Sequence, residues 1–263
     1  MTRNNEQFIF RALTDDQLQQ YETEGYLCLG RTLTDEGLDR MRQECMAAWT
    51  AEKGPFDPKN SWLQNALLPN IHHRTDLVRQ FYFNGPLVDV AGQLIGPNIK
   101  TAGSQLTFKM RGNTKPFAWH QDNGYGQLDP CNTLTTLTAL DDADTENGCL
   151  WIVPASHRKG QIDVQYDMTK KQTDNEITME VDESQAVAMP LKAGDSLVFH
   201  CWMLHKSEGN RSKDRDRRIM FFRYADADAV EVYNDHKPRL GRLLRGTTKF
   251  DAVRQYEAEL EIL

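Results

Sequence analysis

No apolar run in these 263 residues approaches the roughly 18 that a membrane helix needs. The opening stretch, residues 1–7, carries no hydrophobic signal-peptide core. Cysteine is sparse and unpaired in pattern. Cys28, Cys45, Cys131, Cys149 and Cys201 are odd in number, scattered, and form no Cys-x-x-Cys pair. A disulfide framework is therefore not indicated, and reduced thiols in a cytoplasmic protein are expected. Positive charge is in deficit: the formal net charge is −7, which argues against a nucleic-acid-binding face as the main business. Internal repeats, low-complexity tracts and linker-like breaks are missing as well. With 26% charged and 39% hydrophobic residues the composition is that of an ordinary folded chain. A single domain acting on a small molecule, as a monomer or homodimer with no nucleic acid or membrane partner, is the expectation.

What is present divides into a helical front and a strand-rich middle. Thr14 can cap a helix, with acids in its first turn and Gln17 at capping-box spacing; it should run to Glu24 and stop at Gly25. A short strand over 26–29 follows, then a second helix from the Thr34 cap signal to Trp49. Residues 55–74 read as loop, and 77–83 and 86–94 as two short helices. Strands are predicted over 101–110, 133–140, 150–153, 186–190, 196–202 and 218–224. The polar stretch 163–183 reads as an excursion near a site mouth, and a last helix over 250–260 as an outer layer. The pattern implies a mainly β fold with flanking helices, a jelly roll or double-stranded β-helix. The helical part would cover about 1–98, the core about 99–225, and an extension 226–263.

The chemistry centres on Trp119-His120-Gln121-Asp122. On an extended backbone, residues two apart project to the same face, so His120 and Asp122 can reach one metal ion together. A third ligand must come from elsewhere. His205, at the exit of the 196–202 strand, is favoured by spacing, and His200 inside that strand competes. Two imidazoles and one carboxylate on one face of a metal is the arrangement of non-haem Fe(II) oxygenases. Arg217 and Arg218 open the next strand, and alternation sends only one of them inward. The basic cluster Lys237, Arg239, Arg242, Arg245 and Lys249 reads as a solvated tail face.

Linked motifs then appear in a fixed order: Trp119 to Asp122, the stretch 139–150, and Val153-Pro154-Ala155-Ser156-His157. Gly194-Asp195, Phe199-His200, Leu204 to Ser207, Asn210 and Arg217-Arg218 follow. Over roughly 10–225 the chain resembles the phytanoyl-CoA dioxygenase family of Fe(II)/2-oxoglutarate oxygenases. Ala155 and Lys206 depart from it, each standing where glycine is usual.

The resemblance implies that His120, Asp122 and His205 hold Fe(II), leaving room for 2-oxoglutarate and O2. It implies that Arg217 receives the far carboxylate of 2-oxoglutarate through paired hydrogen bonds, with Ser207 nearby and Gln105 and Lys109 lining the pocket. Trp119, Tyr125 and Trp151 are expected as an aromatic wall for substrate, against the plainer reading of large aromatics as core. Hydroxylation of an unactivated C–H with release of succinate and CO2 is the expected reaction. Desaturation, epimerisation or cyclisation could run on the same ligands. Asp122 speaks against halogenation, which needs its place for the halide. A non-catalytic jelly-roll binding module would not need Arg217 and Ser207 beside a full metal trio, and a zinc hydrolase would need a general base that the sequence does not show.

Overall fold

Three threonine caps start three of the front helices. The computed structural model describes residues 6–55, 57, 59, 65–112, 115–122, 126–162 and 181–260. In α1 (Asp15–Glu24) Thr14 Oγ1 accepts from Gln17 N, and Gln17 Oε1 accepts from Thr14 N at 3.0 Å, the expected capping box. Gly25 ends it at φ 80, where an added Cβ would sit 2.4 Å from His157 Nδ1. Thr34 caps α2 (Asp35–Glu52), three residues longer than predicted, and Thr75 caps α3 (Asp76–Asn84). α4 (Pro86–Ile95) opens on a proline whose missing N–H costs nothing there.

Fourteen strands run among the described residues. In order they are β1 (Tyr26–Arg31), β2 (Leu67–Pro69), β3 (Ile99–Lys109), β4 (Phe117–His120), β5 (Leu128–Asp129), β6 (Leu134–Ala139) and β7 (Leu150–Ile152). Then come β8 (Val187–Met189), β9 (Asp195–His200), β10 (His205–Ser207), β11 (Arg217–Asp226), β12 (Val230–Glu231), β13 (Lys237–Pro238) and β14 (Leu243–Arg245). All pairings are antiparallel. The large sheet has the order β1-β9-β6-β11-β3-β14, with β2 added along β3. The smaller sheets are β4-β10-β7-β8 and β13-β12-β5.

Alternation along β11 sorts its residues between two layers. Met220, Phe222 and Tyr224 face the helices, where Tyr82 of α3 stacks on Phe222 with ring centroids 4.6 Å apart. Ile219 points the other way, with Leu137, Leu197 and Phe199, into a buried cluster completed by Leu150, Ile152 and Met189 of the smaller sheet. The candidate site occupies the side of the large sheet turned toward β4 and β10.

Several expectations are corrected. Residues 55–74 are not all loop: β2 and a 3-10 turn (Ile71–His73) lie there, because Leu68 and Ile71 are fully buried anchors that short polar surroundings concealed. The last helix shrinks to α5 (Asp251–Gln255). The basic cluster is not uniformly solvated. Arg239 pairs with Glu231 within the extension, while Arg242, over the Phe83 ring, and Arg245, donating to Phe83 O, hold the extension onto the body. Most of 163–183 lies outside the described residues. No described helix is long and apolar enough to cross a membrane.

Candidate active site

β4 ends on His120, and Asp122 follows in the turn, so the two reach one side from a strand end rather than from one continuous strand. His205 does not sit at the exit of β9 as expected. A turn over 201–204 intervenes, and His205 opens β10, directly opposite His120 across the β4–β10 ladder. That cross-strand placement brings the imidazoles together, with ring centroids 4.1 Å apart. One ligand atom from each of His120, Asp122 and His205 lies within 4.8 Å of the others. His200, the rival, turns away: its Nδ1 accepts from Trp202 N at 3.1 Å, and its ring packs near His157.

Backbone carbonyls set the tautomers. Nδ1–H of His120 donates to Ala118 O at 2.7 Å, and Nδ1–H of His205 to Met203 O at 2.9 Å. Each Nε2 therefore presents a lone pair toward the shared centre, as a metal ligand requires. Burial, and for His205 then the neighbouring His120, favours the neutral rings: His205 is pushed down to about 3, and His120 is also lowered. Burial alone would raise the Asp122 carboxyl, but Arg223, His205 and His120 outweigh it and hold it ionised, well below the usual carboxylate range. His205 Nε2 and Asp122 Oδ1 stand 3.7 Å apart, too far for a hydrogen bond. Two lone pairs and a carboxylate that converge without a proton between them fit a divalent cation.

Side chains with no direct place in the trio hold it. Gln121, fully buried between the two ligands, donates Nε2–H to Trp202 O at 2.7 Å and to Gly160 O at 3.0 Å. It thereby ties the β4 turn to the turn that delivers His205. Ser156 Oγ accepts from Leu204 N at 2.9 Å, which gives the Val153–His157 motif its structural purpose. Arg223 Nη2 donates to Asp122 Oδ1 at 2.8 Å, and Thr135 Oγ1 donates to Asp122 Oδ2. The reading of the sequence missed Arg223 and Thr135, although alternation from Arg217 through residues 219 and 221 places 223 on the same face. A register shift between Arg223 and Tyr224, filled by the Tyr82 hydroxyl against Gly103 O and Arg223 O, marks this position.

The other end of β11 carries Arg217. It is 1% exposed, and among the described residues Nε, Nη1 and Nη2 have no hydrogen-bond partner. Burial pushes it down to about 10. Arg218 points to the opposite side and is paired with Asp141, its Nε 2.7 Å from Oδ2, which settles which arginine faces inward. Lys109 pairs with Arg217 across the β3–β11 ladder, and its buried Nζ donates to Ser207 Oγ at 2.8 Å and Ser207 O at 3.1 Å. Gln105 lies half-buried on the same face of β3. Ser207 is two residues beyond His205 on β10, so about 6.6 Å of strand separates the metal-facing imidazole from the Lys109–Ser207 corner. That span is comparable with the length of a five-carbon dicarboxylate. The buried Arg217, its donors unpaired among the described residues, fits the far carboxylate of 2-oxoglutarate, beside Lys109, which burial and Arg217 push well below the usual lysine range.

The expected aromatic wall is not assembled on the metal side. Trp119 and Trp151 pack with Val153 and Leu204 in a satellite cluster. Strand alternation puts them on the face that Lys206 shares, opposite His120 and His205, and Lys206 Nζ lies 5.1 Å from the Trp119 ring centroid. Trp119 Nε1 donates to Glu183 Oε1 at 2.7 Å. Tyr125 lies outside the described residues.

Two imidazoles and a carboxylate gathered on an antiparallel scaffold fit a non-haem metal site, and comparison with known proteins gives the family. The profile of the phytanoyl-CoA dioxygenase (PhyH) family matches residues 21–219. Methylphosphonate hydroxylase of Gimesia maris is 28% identical over 237 residues, covering 87% of this chain and 88% of that protein. Ectoine dioxygenase of Bordetella parapertussis is 25% identical over 224 residues, covering 76% and 72%. Among solved structures, the non-haem α-ketoglutarate-dependent carbocyclase SnoK is 26% identical with a TM-score of 0.70, covering 89% of this chain and 94% of that one. The non-haem monooxygenase ThoJ gives a TM-score of 0.71 at 23% identity, covering 88% and 84%. The chain belongs to the phytanoyl-CoA dioxygenase (PhyH) family, and is an Fe(II)- and 2-oxoglutarate-dependent oxygenase.

Proposed function

We propose that His120, Asp122 and His205 hold Fe(II), that Arg217, with Lys109 and Ser207, receives the far carboxylate of 2-oxoglutarate, and that the enzyme hydroxylates an unactivated C–H of a small organic molecule. In this reading the whole chain is one oxygenase domain, and the two facing sheets are those of a double-stranded β-helix. The observation that carries it is the buried Arg217 guanidinium, its three nitrogens unpaired among the described residues, on the inner face that also carries His120, Asp122 and His205.

When bound, iron with 2-oxoglutarate and O2 supplies the oxidising power for C–H cleavage, with succinate and CO2 as co-products. The chain's own residues supply position and charge. The carbonyls of Ala118 and Met203 keep both imidazoles neutral and aimed. Arg223 and Thr135 fix the Asp122 carboxylate and keep it ionised. Arg217 anchors the co-substrate at its far end, which orients its near end toward the metal ligands. Gln105 lines the same face. Asp122 occupies the ligand place that halide transfer would need.

Substrates of the relatives, such as a methylphosphonate, suggest a small polar molecule, and hydroxylation follows the hydroxylase among them. Purified, anaerobically iron-loaded protein should release succinate from 2-oxoglutarate when given its substrate, and a panel of small phosphonates, amino acids and cyclic osmolytes is the screen. Chlorinated product from the wild type in chloride, or succinate release undiminished in Asp122→Ala, would refute the assignment.

A further inference from the structure

A second cluster of metal-ligating side chains lies on the outer side of β3. His72 and His73 close the 3-10 turn after β2, and Glu257, just past α5, brings its carboxylate to both rings. His72 Nε2 is 3.4 Å from Glu257 Oε2, and His73 Nε2 is 2.8 Å from Oε1. One ligand atom from each of the three lies within 4.8 Å of the others. His72 is 3% exposed and the Glu257 side chain 12%, whereas the His73 side chain is 40% exposed.

We infer that His72, His73 and Glu257 form a second divalent-metal site of the zinc type, which clips the C-terminal segment onto β2 and β3. Two imidazoles and a carboxylate are a zinc donor set, and the open side at His73 leaves a fourth place for water. The His73 contact is an ordinary hydrogen bond at 2.8 Å, whereas the His72 contact, at 3.4 Å, is a long one. The longer contact matches the edge of a tetrahedron with zinc–ligand arms, about 3.3 Å. His72 Nδ1 sits 2.6 Å from Ser104 Oγ on β3, a partner of the kind that fixes a ligating imidazole with Nε2 outward. Glu257 itself holds a left-handed backbone, φ 51, with its carbonyl taken by Arg242 Nη1. Of the nearby guanidiniums, Arg79 Nη1 pairs with Asp76 and Arg242 lies over the Phe83 ring. Ser104 precedes the inward-facing Gln105, so the clip would brace the strand that lines the active site from behind.

Cobalt(II) titration of the metal-free chain tests this, because four-coordinate Co(II) absorbs far more strongly in the visible than six-coordinate Co(II). Wild type should take two equivalents, one of them with the strong band. Glu257→Gln keeps the side chain's shape, and His73→Gln changes a half-exposed position. Each should lose one equivalent and that band. Asp122→Ala, altered only at the first site, should keep the band. Zinc at about 100 times its Kd should raise the melting temperature of Asp122→Ala by about 5–10 °C, and the rise should vanish when Glu257→Gln is added. Saturation of wild type at one equivalent, or a strong band untouched by both Glu257→Gln and His73→Gln, would overturn the inference. Loss of the band in Asp122→Ala alone would assign it to the first site and overturn it equally.

Discussion

Arg217→Met separates a ligand-binding guanidinium from a structural one, because the two roles predict opposite signs for stability. The side chain is 1% exposed, with no partner among the described residues on any of its three nitrogens. Its depression to about 10 by burial corresponds to roughly 3 kcal/mol of unfavourable charge burial. That cost is fully present at neutral pH, below both the ordinary and the lowered value, and is relieved only as pH rises through about 10. Methionine fills similar space without charge, so the ligand-free variant should melt at the same temperature as wild type or a few °C higher. Binding should move the other way. Losing a buried charge-assisted pair costs about 2–5 kcal/mol, so the Kd for 2-oxoglutarate should rise at least tenfold, and up to several thousand-fold. Calorimetric titration with 2-oxoglutarate, beside melting curves with and without it, reads both quantities. Destabilisation of ligand-free Arg217→Met by more than about 2 kcal/mol, together with a wild-type thermal shift on adding 2-oxoglutarate, would refute a ligand-binding role for Arg217. Arg218→Met, which breaks the contact with Asp141 instead, should lower stability while leaving 2-oxoglutarate affinity nearly unchanged.

Other expectations follow from the same contacts. His205→Ala should abolish the weak visible charge-transfer band of the Fe(II)–2-oxoglutarate complex, and His200→Ala should keep it; anaerobic absorbance spectra distinguish them. For pH, the fold keeps His205 and His200 neutral, at about 3 and about 4, both lowered chiefly by burial. Below pH about 6.5 the unfolded chain takes up protons that the fold refuses, so stability of the metal-free protein should decline as pH falls from there toward 4. Denaturant midpoints that stay flat from pH 7 to 5 would contradict those burial effects. Gly148→Ala would force φ +87 on a residue with a side chain and place its Cβ 2.4 Å from Glu208 O, a carbonyl that Lys109 Nζ also reaches. A loss of about 1–3 kcal/mol in chemical denaturation is expected, with weaker 2-oxoglutarate binding.

Local signals were legible wherever one stretch of chain decides its own fate. The Thr14 capping box, the Thr34 cap and the Pro86 start lie within a few residues of the helices they begin. Strand-prone runs rich in threonine and apolar residues likewise exposed β3, β6, β9 and β11. Short strands such as β2, β4 and β10 carry too few residues for a period to show, and pairing with distant partners defines them. The His120–Asp122 pair was visible because a spacing of two has a geometric meaning by itself, and the ordered motifs around it pointed to His205. Only the tertiary structure put His205 opposite His120, turned Arg217 rather than Arg218 inward, and sent Trp119 and Trp151 to the outer face. It alone joined Arg223 to Asp122 across 101 residues and Glu257 to His72 across 185. Side-chain direction depends on register, and register is fixed by burial across the whole sheet: one residue of slip would exchange every inward and outward position.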